Sequence, residues 1–63
     1  MRYSKAQYYK TAFFPAGNFY VGIEKVEEDA DYPGAHWYWC SWKESGHEVR
    51  RWIHESDLEN FVL

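Results

Sequence analysis

An alternation of apolar and other positions, with a period of two residues, runs through the middle of the chain. Phe19, Val21 and Ile23 share one side of an extended backbone, and the Tyr, Gly and Glu residues that follow each of them share the other. Successive side chains of a strand face opposite sides of a sheet, so this period is that of a half-buried strand. The pattern therefore predicts a strand that begins near residue 19.

The second half of the chain predicts a β-hairpin. Residues 36–43 and 47–54 are rich in the aromatic and β-branched residues that favour strands. Ser45 and Gly46 lie between them, and glycine takes the left-handed conformation that a tight hairpin turn needs. We expect the two segments to form an antiparallel pair.

The first strand of this hairpin is apolar on both faces. One face carries Trp37 and Trp39, and the other carries Tyr38, Cys40 and Trp42. A strand with this pattern is either central and covered on both sides, or it leaves one face open for binding.

The two ends of the chain are less regular. Residues 4–14 suit either a strand, because of their Tyr and Phe residues, or a short helix that begins at Ser4. Ser56 and Glu59 have the spacing of a capping box, which predicts one or two helical turns through Phe61. Between the strands, Pro33-Gly34 has the composition of a type II turn.

These elements predict a single small domain over residues 1–63 that is mainly β. A chain of this length buries only about 60% of the surface that its unfolded form exposes. A small, strongly bent antiparallel sheet, or a partial barrel of the Src-homology-3-like (SH3-like) or Tudor-like kind, is the most economical solution. It would end in a short C-terminal helical turn. The alternative is an α+β fold in which an N-terminal helix packs on a four-stranded antiparallel sheet.

Residues 38–59 contain a Cys40-Ser41-Trp42 strand, a glycine turn, Trp52, and a closing Glu55-Ser56-Asp57-Leu58-Glu59 segment. This arrangement resembles the YodC-like family of small bacterial proteins. The resemblance implies a small barrel, and it implies no functional residue.

Composition sets limits on function. The 63 residues include 14 aromatic ones (4 Trp, 6 Tyr and 4 Phe), and the formal net charge is −3. The ten acidic residues argue against a protein that binds phosphate backbones in general, because such binding depends on positive charge. No apolar run approaches the length of about 18 residues that a membrane span needs, and no secretory signal is recognisable. We expect a cytoplasmic protein with no membrane association.

The candidates for chemistry are weak. One cysteine excludes an internal disulfide. His36 and Cys40 have a metal-ligand spacing, but residues four apart on a strand lie about 13 Å apart and cannot chelate one ion. Cys40 suits a core position better than a nucleophile. We therefore expect no enzyme, no metal and no cofactor.

Arg50, Arg51 and Trp52 together suit contact with nucleic acid, but the acidic balance of the chain disfavours direct nucleic-acid binding. A cross-strand cation–π pair between one of these arginines and Trp37 or Trp39 is the expected alternative.

The aromatic surplus leads to the main functional hypothesis. Trp, Tyr and Arg dominate binding hot spots, which favours a non-enzymatic protein-binding module that blocks a surface of a larger protein or nucleoprotein complex. A small acidic phage-encoded inhibitor, anti-CRISPR-like and mimicking DNA, has this physical type. The residues expected to bind the partner are Trp37, Trp39, Trp52, Tyr32, Glu27, Glu28, Asp29 and Asp31.

Two alternatives stay open. The first is a Tudor-like or Src-homology-like peptide reader, in which Trp37, Trp39 and Tyr32 converge in one aromatic groove beside acidic residues. The second is a nucleic-acid-associated or oligomeric accessory subunit, including a homo-oligomer that buries its aromatic face against a copy of itself.

Overall fold

The chain forms a four-stranded antiparallel sheet followed by one helical turn. The computed structural model describes residues 2–12 and 20–63. Its elements are β1 (Tyr8–Lys10), β2 (Tyr20–Glu28), β3 (His36–Glu44), β4 (His47–His54) and α1 (Glu55–Leu58). The strands lie in the order β1-β2-β3-β4, so β1 and β4 are the two edges and the sheet does not close into a barrel. The predicted mainly β fold with a short C-terminal helical turn is confirmed.

The predicted hairpin is confirmed, and its first strand extends one residue further, to Glu44. β3 and β4 pair from Trp37 opposite His54 to Glu44 opposite His47. Ser45 and Gly46 connect them, with φ angles of 52° and 81°. Two successive positive φ values are those of a type I′ turn, whose twist matches that of the strands.

The turn between β2 and β3 also follows the sequence. The backbone N–H of Ala35 donates to the carbonyl of Tyr32 at 3.1 Å, which closes a four-residue turn around Pro33 and Gly34. Gly34 has a φ of 95°. This positive angle after a proline fits the predicted type II turn, because glycine has no Cβ to oppose it.

The N-terminal ambiguity is resolved in favour of a strand. β1 pairs with β2, with Tyr9 opposite Val21, and the Ile23 N–H donates to the Gln7 carbonyl at 3.0 Å just before β1 begins. No helix forms between residues 4 and 12. Ala6 has a positive φ of 66°, which a right-handed helix through this residue does not accommodate. The rest of this predicted segment, residues 13 and 14, and the predicted strand residue Phe19 lie outside the described residues.

The predicted capping box is wrong. α1 begins at Glu55, its N-cap residue is His54, and Glu59 is the C-cap. His54 is the last residue of β4 and is still extended, and its ring Nδ1 accepts from the Ser56 N–H at 3.2 Å. The imidazole thereby caps the helix in place of the Ser56 hydroxyl, from a position two residues earlier in the chain.

The core lies on one face of the sheet. It consists of Tyr3, Val21, Ile23, Tyr38, Cys40, Trp42, Ile53 and Leu58. Since Tyr3 precedes β1 and Leu58 belongs to α1, the N-terminal segment and the helical turn both cover this face. We call the opposite side the outer face. No element among residues 2–12 and 20–63 covers it. The described part of the chain also has no helix with the length and apolar character that crossing a membrane requires.

The chain after α1 returns to the β1 edge. Val62 forms a bridge with Thr11, and the Leu63 N–H donates to the Lys10 carbonyl at 3.0 Å. The backbone therefore has partners at the end of this edge, at Lys10, Thr11 and Ala12, although β1 itself is only three residues long.

Leu58 provides a test of how the short helix closes the core. Its side chain is fully buried, so Leu58→Ala leaves a cavity and should lower the free energy of unfolding by about 2–5 kcal/mol. Leu63→Ala is the matched control: its side chain is 76% exposed, and the loss should stay within about 0.5 kcal/mol. Urea titration measures both. Equal losses would show that α1 contributes nothing particular to the core.

Candidate functional site

Three tryptophans predicted to bind a partner lie together on the outer face. Trp39 is directly opposite Trp52, and their ring centroids are 5.3 Å apart. Trp37 meets the ring of His54 edge to face at 4.9 Å. Antiparallel partners point to the same side of a sheet, so this cluster follows from the hairpin register alone. Trp37 is 39% exposed, which makes it the most accessible of the three.

The cation near these rings comes from β2. The pairing of β2 with β3 shifts between Ile23 and Lys25, which leaves Glu24 as the extra residue of a bulge. Beyond the bulge Lys25 lies opposite Trp39, and its ammonium group is 5.8 Å from the Trp39 ring centroid.

The expected arginine–tryptophan contact is replaced by ion pairs. The Arg50 guanidinium contacts a carboxylate oxygen of Glu24 at 3.4 Å and one of Glu48 at 3.1 Å. Carboxylates within reach bind a guanidinium better than a neighbouring ring, since charge-assisted hydrogen bonds form as well. Glu24 is the extra residue of the bulge in β2, and the hairpin sequence carries no sign of this bulge.

Two exposed aromatic residues on the outer face were missed. Tyr8 is 74% exposed and Tyr20 is 63% exposed. Tyr8 lies against Gly22, where an added Cβ would come within 2.8 Å of the tyrosine ring. The alternation around Val21 already places Tyr20 on this face, and that signal could have identified it.

A groove of about 390 Å³ lies along β4 and α1, beside the aromatic cluster. Trp37 and Trp52 reach it from the outer face, and Trp42 and Phe61 reach it from the core side. The residues that line it are Trp37, Trp42, Arg51, Trp52, Ile53, His54, Asp57, Asn60 and Phe61. Trp39 is not among them. Tyr32, which is 69% exposed, lies in the turn before β3 and does not line it either.

The acidic runs near residues 24–31 and 55–59 meet at one end of the sheet. The link is a contact of 2.9 Å between the Asp29 carboxylate and His54 Nε2, since His54 directly precedes α1. A second link joins His36 Nδ1 and a Glu55 carboxylate oxygen, 3.5 Å apart. We call this region the acidic end. Trp37 lies in it, directly opposite Glu27.

The carboxylates of Asp29 and Glu55 form hydrogen bonds within the fold. Asp29 is buried, and its other carboxylate oxygen accepts from the Asp31 N–H at 2.9 Å. This backbone hydrogen bond and the contact with His54 lower the pKa of Asp29, although partial burial opposes them. Glu55 accepts from the Tyr38 hydroxyl at 3.1 Å.

Four acids of the acidic end are exposed: Glu27, Glu28, Asp31 and Asp57. Their carboxylates have no hydrogen-bond or ion-pair partner among the residues that the structure describes. Glu27 and Glu28 end β2, Asp31 lies in the loop after it, and Asp57 lines the groove. Three of the four were predicted to bind a partner.

Cys40 belongs to the core, as predicted. Its side chain is fully buried, and burial raises the pKa of the thiol to about 12. Elsewhere in the described residues, no group of three His, Cys, Asp or Glu side chains is placed to hold a metal ion.

Comparison with known proteins found no relative. No family model, no curated protein and no solved structure matches the chain. The resemblance of residues 38–59 to the YodC-like family stays a prediction, and proposals about function rest on the surface chemistry of the chain itself.

The Asp29 network predicts a specific acid sensitivity. Because the folded-state pKa of Asp29 lies below its ordinary value of 3.8, this carboxylate stabilises the fold above that pH, and its contribution is lost as the pH falls through the folded-state pKa. Asp29→Asn keeps an oxygen acceptor but removes the charge. We expect it to lower stability at pH 7 and to reduce the further loss on acidification to pH 3, measured by urea unfolding. Asp31→Asn is the control. If Asp29→Asn had the same stability as Asp31→Asn at both pH values, the Asp29 carboxylate would not have the stabilising role assigned to it.

The buried thiol predicts slow alkylation. At pH 8 iodoacetamide should modify Cys40 at least about a hundredfold more slowly in the native protein than in urea, because only the exposed thiolate reacts. Mass spectrometry follows the reaction. Equal rates in the two conditions would mean that the thiol is open to solvent.

Proposed function

We propose that the chain is a non-enzymatic protein-binding module that covers a basic surface of a larger protein. The observation that carries this proposal is the position of Trp37. Trp37 is 39% exposed, it lines the groove, and it lies opposite Glu27 within the acidic end. An aromatic anchor beside unpaired acids suits a partner surface that presents both apolar contacts and cations.

The aromatic part of this surface would supply most of the affinity. Trp37 and Trp52 border the groove and are held by edge-to-face and tilted contacts with their neighbours. A ring that is already ordered loses little entropy when a partner covers it, and tryptophan is among the residues most enriched in hot spots.

The acids would supply orientation and speed of association. The exposed carboxylates of Glu27, Glu28, Asp31 and Asp57 have no competing cation among the described residues. Complementary charge steers encounter and rejects acidic partners. A nucleic-acid-binding cleft on another protein is a basic surface of this kind. The finer form of the proposal is therefore a small acidic, phage-encoded, anti-CRISPR-like inhibitor that mimics DNA.

A peptide reader is the second candidate, and the groove itself favours it. A volume of about 390 Å³ between Trp37, Trp52 and Phe61 accommodates one or two side chains of an extended peptide. In that case the ligand would be a basic or proline-rich segment rather than a folded surface.

Three variants test the main proposal. Trp37→Ala removes the anchor, the combination Glu27→Gln, Glu28→Gln and Asp31→Asn removes charge, and Tyr20→Ala is a matched aromatic control at the other end of β2. Each is immobilised beside the unaltered protein and exposed to host lysate at low and high salt. We expect a partner retained by the unaltered protein and by Tyr20→Ala.

The two test variants should fail in different ways. Trp37→Ala should weaken binding of that partner by about thirtyfold at either salt concentration. The charge variant should weaken it at low salt only, since salt already screens the carboxylates at high ionic strength. Retention of the same proteins by all four forms would contradict the proposal. Quenching of Trp fluorescence by an arginine-rich or proline-rich peptide, abolished by Trp37→Ala, would instead favour the reader.

A further inference from the structure

The two edge strands of the sheet, β1 and β4, differ in their backbone hydrogen bonding. The β1 edge is met by the returning C-terminal residues, through the Thr11–Val62 bridge and the Leu63 to Lys10 hydrogen bond. β4 is eight residues long, and among residues 2–12 and 20–63 it pairs with β3 alone. Within the described chain, no backbone hydrogen bond from outside the sheet reaches residues 47–54. A long edge with unpaired backbone groups is a template for another strand.

The turn geometry determines which backbone groups of β4 point outward. In a two-residue type I′ hairpin the residues that flank the turn, Glu44 and His47, form a hydrogen-bonded pair. Hydrogen-bonding direction alternates along a strand, so Val49 directs its N–H and C=O toward β3. Glu48, Arg50 and Trp52 direct theirs away from the sheet, toward the open edge.

We propose that this edge binds the β4 strand of a second copy of the chain, antiparallel and centred on Val49. Two such strands related by a two-fold axis form one continuous sheet of eight strands. In this register Glu48 lies opposite Arg50 of the second copy, and Arg50 lies opposite Glu48 of the second copy. Both are outward-directed pairs, so each exchanges two backbone hydrogen bonds.

Charge selects this register over its neighbours. Centring the pair on residue 48 places two Glu48 side chains together, and centring it on residue 50 places two Arg50 side chains together. Centring it on residue 51 opposes two Arg51 side chains. Like charges directly opposite each other destabilise a strand pair, whereas opposite charges stabilise it. Only the register centred on Val49 brings Glu48 and Arg50 into two opposite-charge pairs.

The ion pairs already present within the chain are compatible with this arrangement. The Arg50 guanidinium contacts Glu48 and Glu24 and is still about half exposed. It can therefore bridge carboxylates of both copies. Exposed ion pairs contribute little individually, so they choose the register, and the backbone hydrogen bonds and the apolar area covered beside Trp52 hold the dimer. Arg51 and Trp52 also line the groove, so this contact lies beside it. Glu48 and Arg50 do not line the groove, so variants at these two positions test the dimer separately from partner binding.

Charge exchange tests the register directly. In Glu48→Arg the opposing pairs become arginine against arginine, and in Arg50→Glu they become glutamate against glutamate. Sedimentation equilibrium should show a dimer for the unaltered chain and dimerisation weakened at least about tenfold for each single variant. The double variant restores opposite charges and should dimerise again.

Mixing the two single variants separates contact between chains from contact within one chain. The β4 edge of Glu48→Arg is positive at both positions, and the edge of Arg50→Glu is negative at both. An equimolar mixture should therefore form a heterodimer although neither variant dimerises alone. The proposal is overturned if the unaltered chain is monomeric at every concentration. It is also overturned if the mixture dimerises no more than either variant alone.

Amide exchange in the unaltered chain gives a measurement that needs no variant. The outward N–H groups of Glu48 and Arg50 should exchange more slowly as protein concentration rises, whereas the N–H of Tyr8 on the opposite edge strand serves as the reference. Exchange at Glu48 and Arg50 that is fast at all concentrations would exclude the β4 contact even if the chain dimerises by another surface.

Discussion

The buried hydroxyl group of Tyr38 is the contact on which the rest of the structure depends. Tyr38 is fully buried in β3, and its hydroxyl oxygen accepts from the Arg2 N–H at 3.1 Å and donates to Glu55 at the same distance. One side chain of the central hairpin thus connects the N-terminal segment, the sheet and α1. A buried hydroxyl without partners would destabilise the fold, so the two ends of the chain must both reach this face.

Covering one face of the sheet has a direct consequence for the other. Because the N-terminal segment and α1 are both drawn to the Tyr38 side, neither is placed over Trp37, Trp39 and Trp52. A small domain cannot enclose 14 aromatic residues in one core. Of the aromatic residues that the structure describes on the sheet, Tyr38 and Trp42 lie on the packed face, and Trp37, Trp39 and Trp52 lie on the accessible one. The accessible face and the β4 strand share the groove, which Trp37 lines from β3 and Trp52 from β4.

Much of the sheet followed from short-range signals. The period of two around Val21, the aromatic strand around Tyr38 and the Ser45-Gly46 turn each depend on neighbouring residues, and each was placed correctly. The wrong predictions concern positions where residues far apart in the sequence are in contact. His54 caps α1 in place of Ser56 because Asp29, 25 residues earlier, holds its ring. Lys25 takes the position over Trp39 because of a bulge that no local pattern announces.

The sequence by itself determined where the last three strands lie, which residues alternate to one side, and that three tryptophans share a face. These properties follow from the geometry of an extended backbone and of a two-residue turn. Only the tertiary structure decided which face is covered, and which acids remain available. Asp29 and Glu27 belong to the same acidic run, yet one is buried against His54 and the other is exposed beside Trp37. That difference depends on contacts between segments far apart in the chain, because antiparallel pairing brings the end of β2, the start of β3 and the end of β4 to one place.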